Sequence, residues 1–331
     1  MPELRLNLIT RNWVVIAAER AKRPDEFKKS GYIRKELPSH VDTCPFCHGN
    51  ESKTPGEIFR IPAGRDWKIR VVPNKFPILS SGGERIRTKD GIKHTISGVG
   101  IHDMVIETPL HNMTTALLHV EQITDIIRTY KDRFIALHQD HRIEHVMIFK
   151  NSGTGAGTTI EHPISHIVGI PVTPIQFRDR FEAAVHFFDD TGECLMCMTA
   201  RREKEEGIRI ILDTDHFLTF VPYAALSPFH IWIFPKRHSA SFSDITDDEA
   251  KDLANTFKTI FSKFYYGLDN PDFNYVLRSH RPRDCDAEYF HWYISIVPRF
   301  VKAAGFELGS GMYVNPSIPE ESAAFLRQVK I

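Results

Sequence analysis

The chain has 331 residues, which exceeds the usual size of one compact domain and favours two domains or one fold built from two similar halves. Its 42 basic and 42 acidic side chains balance, and no long block of one sign occurs, which argues against a nucleic-acid-binding surface. The first residues lack the order of a signal peptide, and no apolar run reaches the roughly 20 residues of a membrane span. We therefore expect a cytoplasmic protein that binds neither nucleic acid nor membrane.

The predicted elements follow the same order in both parts of the chain. Helical spacing of apolar residues predicts one helix over Ile123–Leu137 and another over Leu253–Phe264, the second opened by a capping box of Thr246 and Glu249. Residues 175–190 predict a connecting helix. Two strand-like segments precede each long helix and two follow it, which predicts an antiparallel sheet with a helix on one face in each half, an α+β fold. These segments are residues 67–73, 104–111, 146–149 and from 162 in the first half, and 216–222, 231–238, 275–277 and from 291 in the second.

Each half also carries one Cys-x-x-Cys pair and two histidines at matched positions. One histidine follows the apolar strand and the other opens the last strand, with separations of 51 and 53 residues. Redox pairs or ordinary buried cysteines are the alternative, but neither requires duplicated histidines, so the pattern favours tetrahedral zinc. With no ligand position left open, both ions are expected to be structural. The predicted sets are Cys44, Cys47, His111 and His162 for one ion and Cys194, Cys197, His238 and His291 for the other.

Other polar residues near these sets have less definite roles. His48 and His230 compete as ligands, but His230 has no evident counterpart in the first half, so we interpret it as a packing or pocket residue. Arg278 and Tyr293 lie near the second histidine strand, and we interpret them as loop residues rather than as a second site.

Four segments resemble the galactose-1-phosphate uridylyltransferase family of the histidine-triad superfamily, nearest in pattern to its ADP-glucose phosphorylase-like members. The segments are residues 12–24, 73–77, 150–159 and 304–311. The resemblance implies two histidine-triad-like halves, 1–175 and 176–331, with the C-terminal segment returning to the substrate site. It also implies a homodimer that binds a nucleotide or nucleotide sugar in the first half.

The resemblance further implies which residues contact that ligand. Guanidinium groups can grip phosphoryl oxygens bidentately, and a glycine-rich loop lets backbone N–H groups approach an anion. The implied contacts are Arg20, Arg23, Asn74, Phe76, Asn151, Gly157 and Thr159.

The family motif is His-x-His-x-Gln, in which the first histidine binds zinc, the second attacks the α-phosphate of a nucleoside diphosphate sugar, and the glutamine holds phosphate. Here the motif reads His162-Pro163-Ile164-Ser165-His166, so an isoleucine occupies the nucleophile's position and a histidine that of the glutamine. An isoleucine has no lone pair with which to attack phosphorus.

Three interpretations of this change remain open. His166 could replace the nucleophile from a position about 7 Å along the strand, which would require a shifted ligand. Transfer could instead be direct, with His166 as acid, base or phosphate stabiliser. The third is a catalytically inactive nucleotide-binding or regulatory protein. We favour a nucleotidyltransferase with His166 as its candidate catalytic residue.

Overall fold

The computed structural model describes residues 1–17, 19, 23–27 and 36–331. No helix in these ranges combines the length and the apolar composition that crossing a membrane requires. The helices are α1 (Val120–His138), α2 (Ile175–Thr191), α3 (Leu195–Glu206), α4 (Asp247–Gly267), α5 (Gly305–Ser310) and α6 (Pro319–Gln328). The strands are β1 (Glu3–Leu6), β2 (Trp13–Ile16), β3 (Phe59–Ile61), β4 (Ile69–Pro73), β5 (Arg87–Asp90), β6 (Lys93–Ile96), β7 (Ile101–Ile106), β8 (His145–Ser152), β9 (Ile164–Ile170), β10 (Ile210–Asp213), β11 (Phe217–Phe220), β12 (Ile231–Pro235), β13 (Phe273–Arg278), β14 (Tyr293–Pro298) and β15 (Tyr313–Asn315).

One large antiparallel sheet contains five strands from each half of the chain. Its order is β10-β11-β12-β14-β13-β8-β9-β7-β4-β3, so the halves meet where β13 pairs with β8. The α+β fold with an antiparallel sheet in each half is therefore confirmed. The two sheets are fused edge to edge, which removes one exposed edge from each half.

The long helices α1 and α4 pack against each other on one face of this sheet. Their apolar residues, among them Ile127, Phe134, Phe257 and Ile260, are buried in a single core that includes strand residues of both halves. The predicted capping box of α4 is present: the Glu249 N–H donates to Thr246 Oγ1 at 3.2 Å, and the Thr246 N–H donates to Glu249 Oε2 at 2.8 Å. Both predicted long helices are confirmed, and on the opposite face of the sheet α2 and α3 pack against strands of the second half.

A small second sheet joins the two ends of the chain. β2 pairs antiparallel with β1 and parallel with β15, which brings the C-terminal segment beside the N-terminal strands. The predicted connecting helix corresponds to α2. The division into 1–175 and 176–331 stays a prediction, since the two halves share one sheet and one core.

A buried polar cluster supports the motif strand β9 from the helix side. Ser165 points towards the helices, and its hydroxyl accepts a hydrogen bond of 2.6 Å from the Tyr130 hydroxyl. Tyr130 also contacts the hydroxyl of Tyr275 at 2.5 Å and Glu107 Oε1 at 3.3 Å. Glu107 in turn forms a buried ion pair with Lys150. Because side chains alternate along a strand, Ile164 and His166 face the other side of the sheet.

Candidate functional site

The first Cys-x-x-Cys turn lies against two histidines at strand ends. Cys47 Sγ is 3.6 Å from His111 Nδ1 and 3.7 Å from His162 Nδ1, and Cys44 Sγ is 3.7 Å from His162 Nδ1. Zinc bonds of about 2.3 Å to sulfur and about 2.0 Å to nitrogen, arranged tetrahedrally, separate sulfur from nitrogen by about 3.5 Å. The four donors therefore have the type and spacing of a metal site.

The second cluster has the same composition and a tighter geometry. Cys197 Sγ is 3.2 Å from His238 Nδ1 and 3.3 Å from His291 Nδ1. Here Cys194 caps the start of α3, so the pair opens a helix, which the sequence did not predict. Within each cluster the four donor atoms lie within 4.8 Å of one another.

In the two clusters together, three of the four histidine rings have an acceptor near Nε2 that orients the ring. His162 Nε2 is 2.7 Å from the carbonyl oxygen of Thr108, and His238 Nε2 is 3.2 Å from that of Ala287. His111 Nε2 lies 3.6 Å from a carboxylate oxygen of Glu161. An acceptor at Nε2 places the proton there and leaves the Nδ1 lone pair for a metal, which matches the donor geometry in both clusters.

A cavity of about 440 Å³ lies beside the first cluster, and we refer to it as the His166 cavity. Its lining combines Asn74, Phe76, Thr159, His162 and His166. Phe76 is 81% exposed, so its ring is free to stack on a planar ligand. Four residues that the sequence placed at a ligand site, Asn74, Phe76, Thr159 and His166, are thus brought together.

His166 is hydrogen-bonded to His102, a residue that the sequence analysis did not single out. His102 Nε2 lies 3.1 Å from His166 Nδ1, and the backbone N–H of Ile78 donates to His102 Nδ1 at 3.4 Å. Burial lowers the pKa of both rings, that of His166 to about 4 with a further contribution from His102, so both are neutral at pH 7.

These partners assign the tautomers of the pair. If the Ile78 N–H and the Asn74 amide, 3.3 Å away, both donate to Nδ1 of neutral His102, its proton is on Nε2 and is donated to His166 Nδ1; this assignment makes the 3.2 Å approach of the Asn74 amide nitrogen to Nε2 a contact without a hydrogen bond. The proton of neutral His166 is then on Nε2, the nitrogen left for the cavity. His166 therefore presents an N–H donor, as a glutamine amide would, rather than the lone pair of a nucleophile.

Ile164 is buried in an apolar cluster with Phe46, Val72, Met104 and Ile106. It is 3% exposed and borders a separate cavity of about 400 Å³, which we refer to as the Ile164 cavity. Asn151 also lines the Ile164 cavity, while Thr159 and His162 line both cavities. The predicted phosphate residue Asn151 and His166 consequently lie on different sides of the 159–162 segment.

Two N–H groups of the glycine-rich loop already have acceptors within the protein. Gly155 N–H donates to Asp272 Oδ2 at 2.6 Å, and Gly157 N–H donates to the Thr154 carbonyl at 3.1 Å. A Cβ at Gly153 would lie 1.9 Å from Asp272 Oδ1, so only glycine permits this approach. The Gly155 and Gly157 N–H groups thus already have acceptors within the protein, and the phosphate contact at Gly157 stays a prediction.

Two of the remaining predicted contacts are not brought to the His166 cavity, and a third lies outside the described residues. Arg23 donates its backbone N–H to Glu26 Oε2 at 2.6 Å and lines neither cavity. Gly157 has a φ of 91° at the end of the Thr154–Ala156 turn, where it serves the backbone and also lines neither cavity. Arg20 is the one outside the described part of the chain.

The second half repeats the histidine contact, so our interpretation that His230 has no counterpart is wrong. His102 opposes Val168 on β9, and the register of β12 with β14 places His230 opposite Val297 in the same way. His230 Nε2 lies 2.9 Å from Ser295 Oγ, as His102 Nε2 faces His166. The sequence does contain a signal for this match. His102 and His230 each lie two residues before a large apolar strand residue, Met104 and Trp232 respectively.

Comparison with known proteins identifies the family. The profile described as the N-terminal domain of galactose-1-phosphate uridyl transferase matches residues 1–240, and that of the C-terminal domain matches residues 180–308. The chain belongs to the galactose-1-phosphate uridylyltransferase family. The resemblance inferred from the sequence motifs is confirmed.

Two relatives match this family member over its full length. It is 36% identical to an ADP-glucose phosphorylase of Arabidopsis thaliana, covering 100% of this chain and 93% of the relative. It is 26% identical to a galactose-1-phosphate uridylyltransferase of Thermotoga maritima, covering 100% and 99%. The crystal structure of an Arabidopsis thaliana ADP-glucose phosphorylase with bound ADP-glucose superposes with a TM-score of 0.84 at 32% identity, covering 100% of this chain and 99% of that one. These relatives are enzymes of nucleotide-sugar chemistry, and this chain is a transferase of the same family.

Proposed function

We propose that this uridylyltransferase family member transfers a nucleotidyl group between a nucleoside diphosphate sugar and a phosphate acceptor, and that His166 holds phosphate as a hydrogen-bond donor. The observation that carries this proposal is the chain of contacts from the Ile78 N–H through His102 to His166. It leaves His166 Nε2–H as a donor at the cavity. A neutral donor next to a phosphate oxygen stabilises charge that develops during transfer.

Direct transfer accounts for the loss of the nucleophile at position 164. An oxygen of the acceptor phosphate attacks the α-phosphorus in line, the bond from that phosphorus to the sugar 1-phosphate breaks, and the sugar 1-phosphate leaves with its electron pair. The acceptor is already an anion, so no side chain has to remove a proton. Phe76 stacks on the base, and the Asn74 amide beside His102 steadies the donor pair.

The buried Ile164 and the occupied N–H groups of the glycine-rich loop favour a second function, nucleotide binding without turnover. Ile164 lies within an apolar cluster, and the N–H groups of Gly155 and Gly157 are occupied. Such a protein would keep the His166 cavity and lose the chemistry.

We also propose that both Cys/His clusters hold structural zinc. The support is the Cys2His2 donor set, its spacing and the carbonyl contacts that orient His162 and His238. All four positions are filled by protein, so the ions fix segments in place and take no part in the transfer. The homodimer and the cytoplasmic location stay predictions.

Two substitutions at position 166 test the donor role. His166→Gln keeps an N–H donor and should change the affinity for ADP-glucose and UDP-glucose by less than about threefold, whereas His166→Phe should weaken both binding and turnover at least about tenfold. Titration calorimetry measures binding, release of sugar 1-phosphate measures turnover, and His94→Gln on an exposed strand is the control.

The result separates the two functions. Binding that depends on His166 together with turnover supports the transferase, and the same binding without turnover supports the binding protein. If His166→Phe binds both nucleotide sugars as tightly as the wild type, His166 does not hold the ligand and the proposed site is wrong.

A further inference from the structure

A third cavity, of about 390 Å³, lies on the second half of the sheet, and we refer to it as the Arg278 cavity. Arg278 at the end of β13, Tyr293 and Ser295 on β14, and Arg180 on α2 line it. Our interpretation of Arg278 and Tyr293 as loop residues is therefore wrong, because both lie on strands at a cavity.

The internal repeat relates the Arg278 cavity to the His166 cavity. His162 and His291 open the two motif strands, so Tyr293 corresponds to Ile164 and Ser295 to His166. In both halves the Nε2 atom of a buried histidine contacts the second of these positions: His102 contacts His166, and His230 contacts Ser295. The Arg278 cavity therefore has the same position on the second half of the sheet as the His166 cavity has on the first half. The side chains that line the two cavities differ.

Three arginines, Arg180, Arg278 and Arg299, and one carboxylate, Asp179, line this cavity, which leaves it a net positive charge. Within the described part of the chain, the side-chain partners of Arg180 and Arg278 are neutral groups rather than carboxylates, although Asp179 also lines the cavity. Arg180 Nε donates to the Tyr293 hydroxyl at 3.1 Å, and Arg278 Nη2 donates to Gln176 Oε1 at 3.3 Å.

The Arg278 guanidinium is incompletely satisfied. Its Nε is buried and has no hydrogen-bond partner among the described residues. Burial, with repulsion from Arg180, lowers the pKa of Arg278 to about 10, so it stays charged at pH 7. A buried cation without an anionic partner is costly, and a bound anion would reduce that cost.

The hydroxyl groups of the cavity are also left as donors. The Leu226 N–H donates to His230 Nδ1 at 3.3 Å, so the proton of His230 is on Nε2 and is donated to Ser295 Oγ. The Ser295 hydroxyl hydrogen is then free for the cavity. The Tyr293 oxygen accepts from Arg180, which leaves its hydrogen free as well.

We propose that the Arg278 cavity is a second anion site that binds a phosphate group, separate from the His166 cavity. Arg278 and Arg180 supply the charge, and Tyr293 and Ser295 supply hydroxyl donors to the phosphate oxygens. The volume accepts either inorganic phosphate or the phosphate of a hexose phosphate. The inference does not depend on the proposed transfer reaction.

Titration calorimetry with inorganic phosphate and with glucose 6-phosphate tests the site on the metal-loaded full chain. His166→Phe serves as the background in which the first cavity is weakened. In that background Arg278→Gln should lower the affinity for phosphate at least about tenfold, and Tyr293→Phe, which keeps the ring, should lower it by a smaller factor of about three. Arg281→Gln is the matched control, because Arg281 is paired with Glu144 and Asp284 outside the cavity.

The two ligands distinguish the source of the phosphate. Tighter binding of inorganic phosphate identifies the free anion as the ligand, and tighter binding of glucose 6-phosphate identifies a hexose phosphate. Circular dichroism and metal content establish that each variant is folded. If Arg278→Gln does not fold, the phosphate affinities of Arg180→Gln and Tyr293→Phe test the site instead. Unchanged affinity in the folded cavity variants, or no phosphate binding in the His166→Phe background, would overturn the proposal.

Discussion

Ile164 and His166 lie two residues apart on the same face of β9, yet their surroundings differ. Ile164 packs in an apolar cluster, while His166 is held by His102 and stacks on Phe149 with ring centroids 5.0 Å apart. A polar side chain at 166 therefore has a partner, whereas one at 164 would need to displace apolar neighbours.

The buried ion pair of Glu107 and Lys150 supports β9, the strand that carries Ile164 and His166. Glu107→Gln would leave the Lys150 ammonium buried without an anion, and we expect the free energy of unfolding to fall by about 3–5 kcal/mol. Urea denaturation followed by circular dichroism measures this change.

The matched control is Glu205→Gln, which breaks an exposed pair with Arg202. That change should cost less than about 1 kcal/mol. Equal losses in the two variants would show that the polar cluster behind β9 contributes no more than a surface ion pair.

At the scale of elements, each Cys/His cluster ties a cysteine segment to the ends of two strands. The first cluster joins the Cys44–Cys47 turn to His111 and His162, and Cys44 and Phe46 also line the His166 cavity. The second cluster joins the start of α3 to His238 and His291, away from that cavity. Loss of either ion should therefore have different consequences.

Cysteine substitutions separate the two clusters. Cys44→Ser and Cys194→Ser should each lower the zinc content from two ions per chain to one, as measured by atomic emission. Only Cys44→Ser should also weaken nucleotide-sugar binding, by about tenfold, because it loosens the wall of the His166 cavity. Cys285→Ser, outside both clusters, is the control, and a full zinc content in either ligand variant would refute the assignment.

For the molecule as a whole, the features that could be predicted from the sequence are those that depend on the pattern of side chains. The repeat, the two Cys/His clusters and the helices α1 and α4 follow from the spacing of cysteines, histidines and apolar residues. The fusion of the halves through β8 and β13 did not follow, because strand pairing uses backbone groups that every residue carries.

The candidate site was predicted only in part for a related reason. Contacts between residues far apart in the chain depend on register and loop path. The His102 contact with His166 joins residues that lie diagonally across β7 and β9, and the Gly155 N–H donates to Asp272 from beyond α4. Neither relation leaves a local motif in the sequence.

The proposed nucleotidyl transfer proceeds without a covalent intermediate on this chain. Incubation with ADP-glucose carrying labelled α-phosphate, followed by alkaline denaturation to preserve phosphoramidates, measures label retained on the protein. We predict no retained label on the wild-type chain, turnover when phosphate is added, and intersecting initial-rate lines. Label on the wild-type chain that His166→Ala abolishes, with parallel initial-rate lines, would contradict direct transfer.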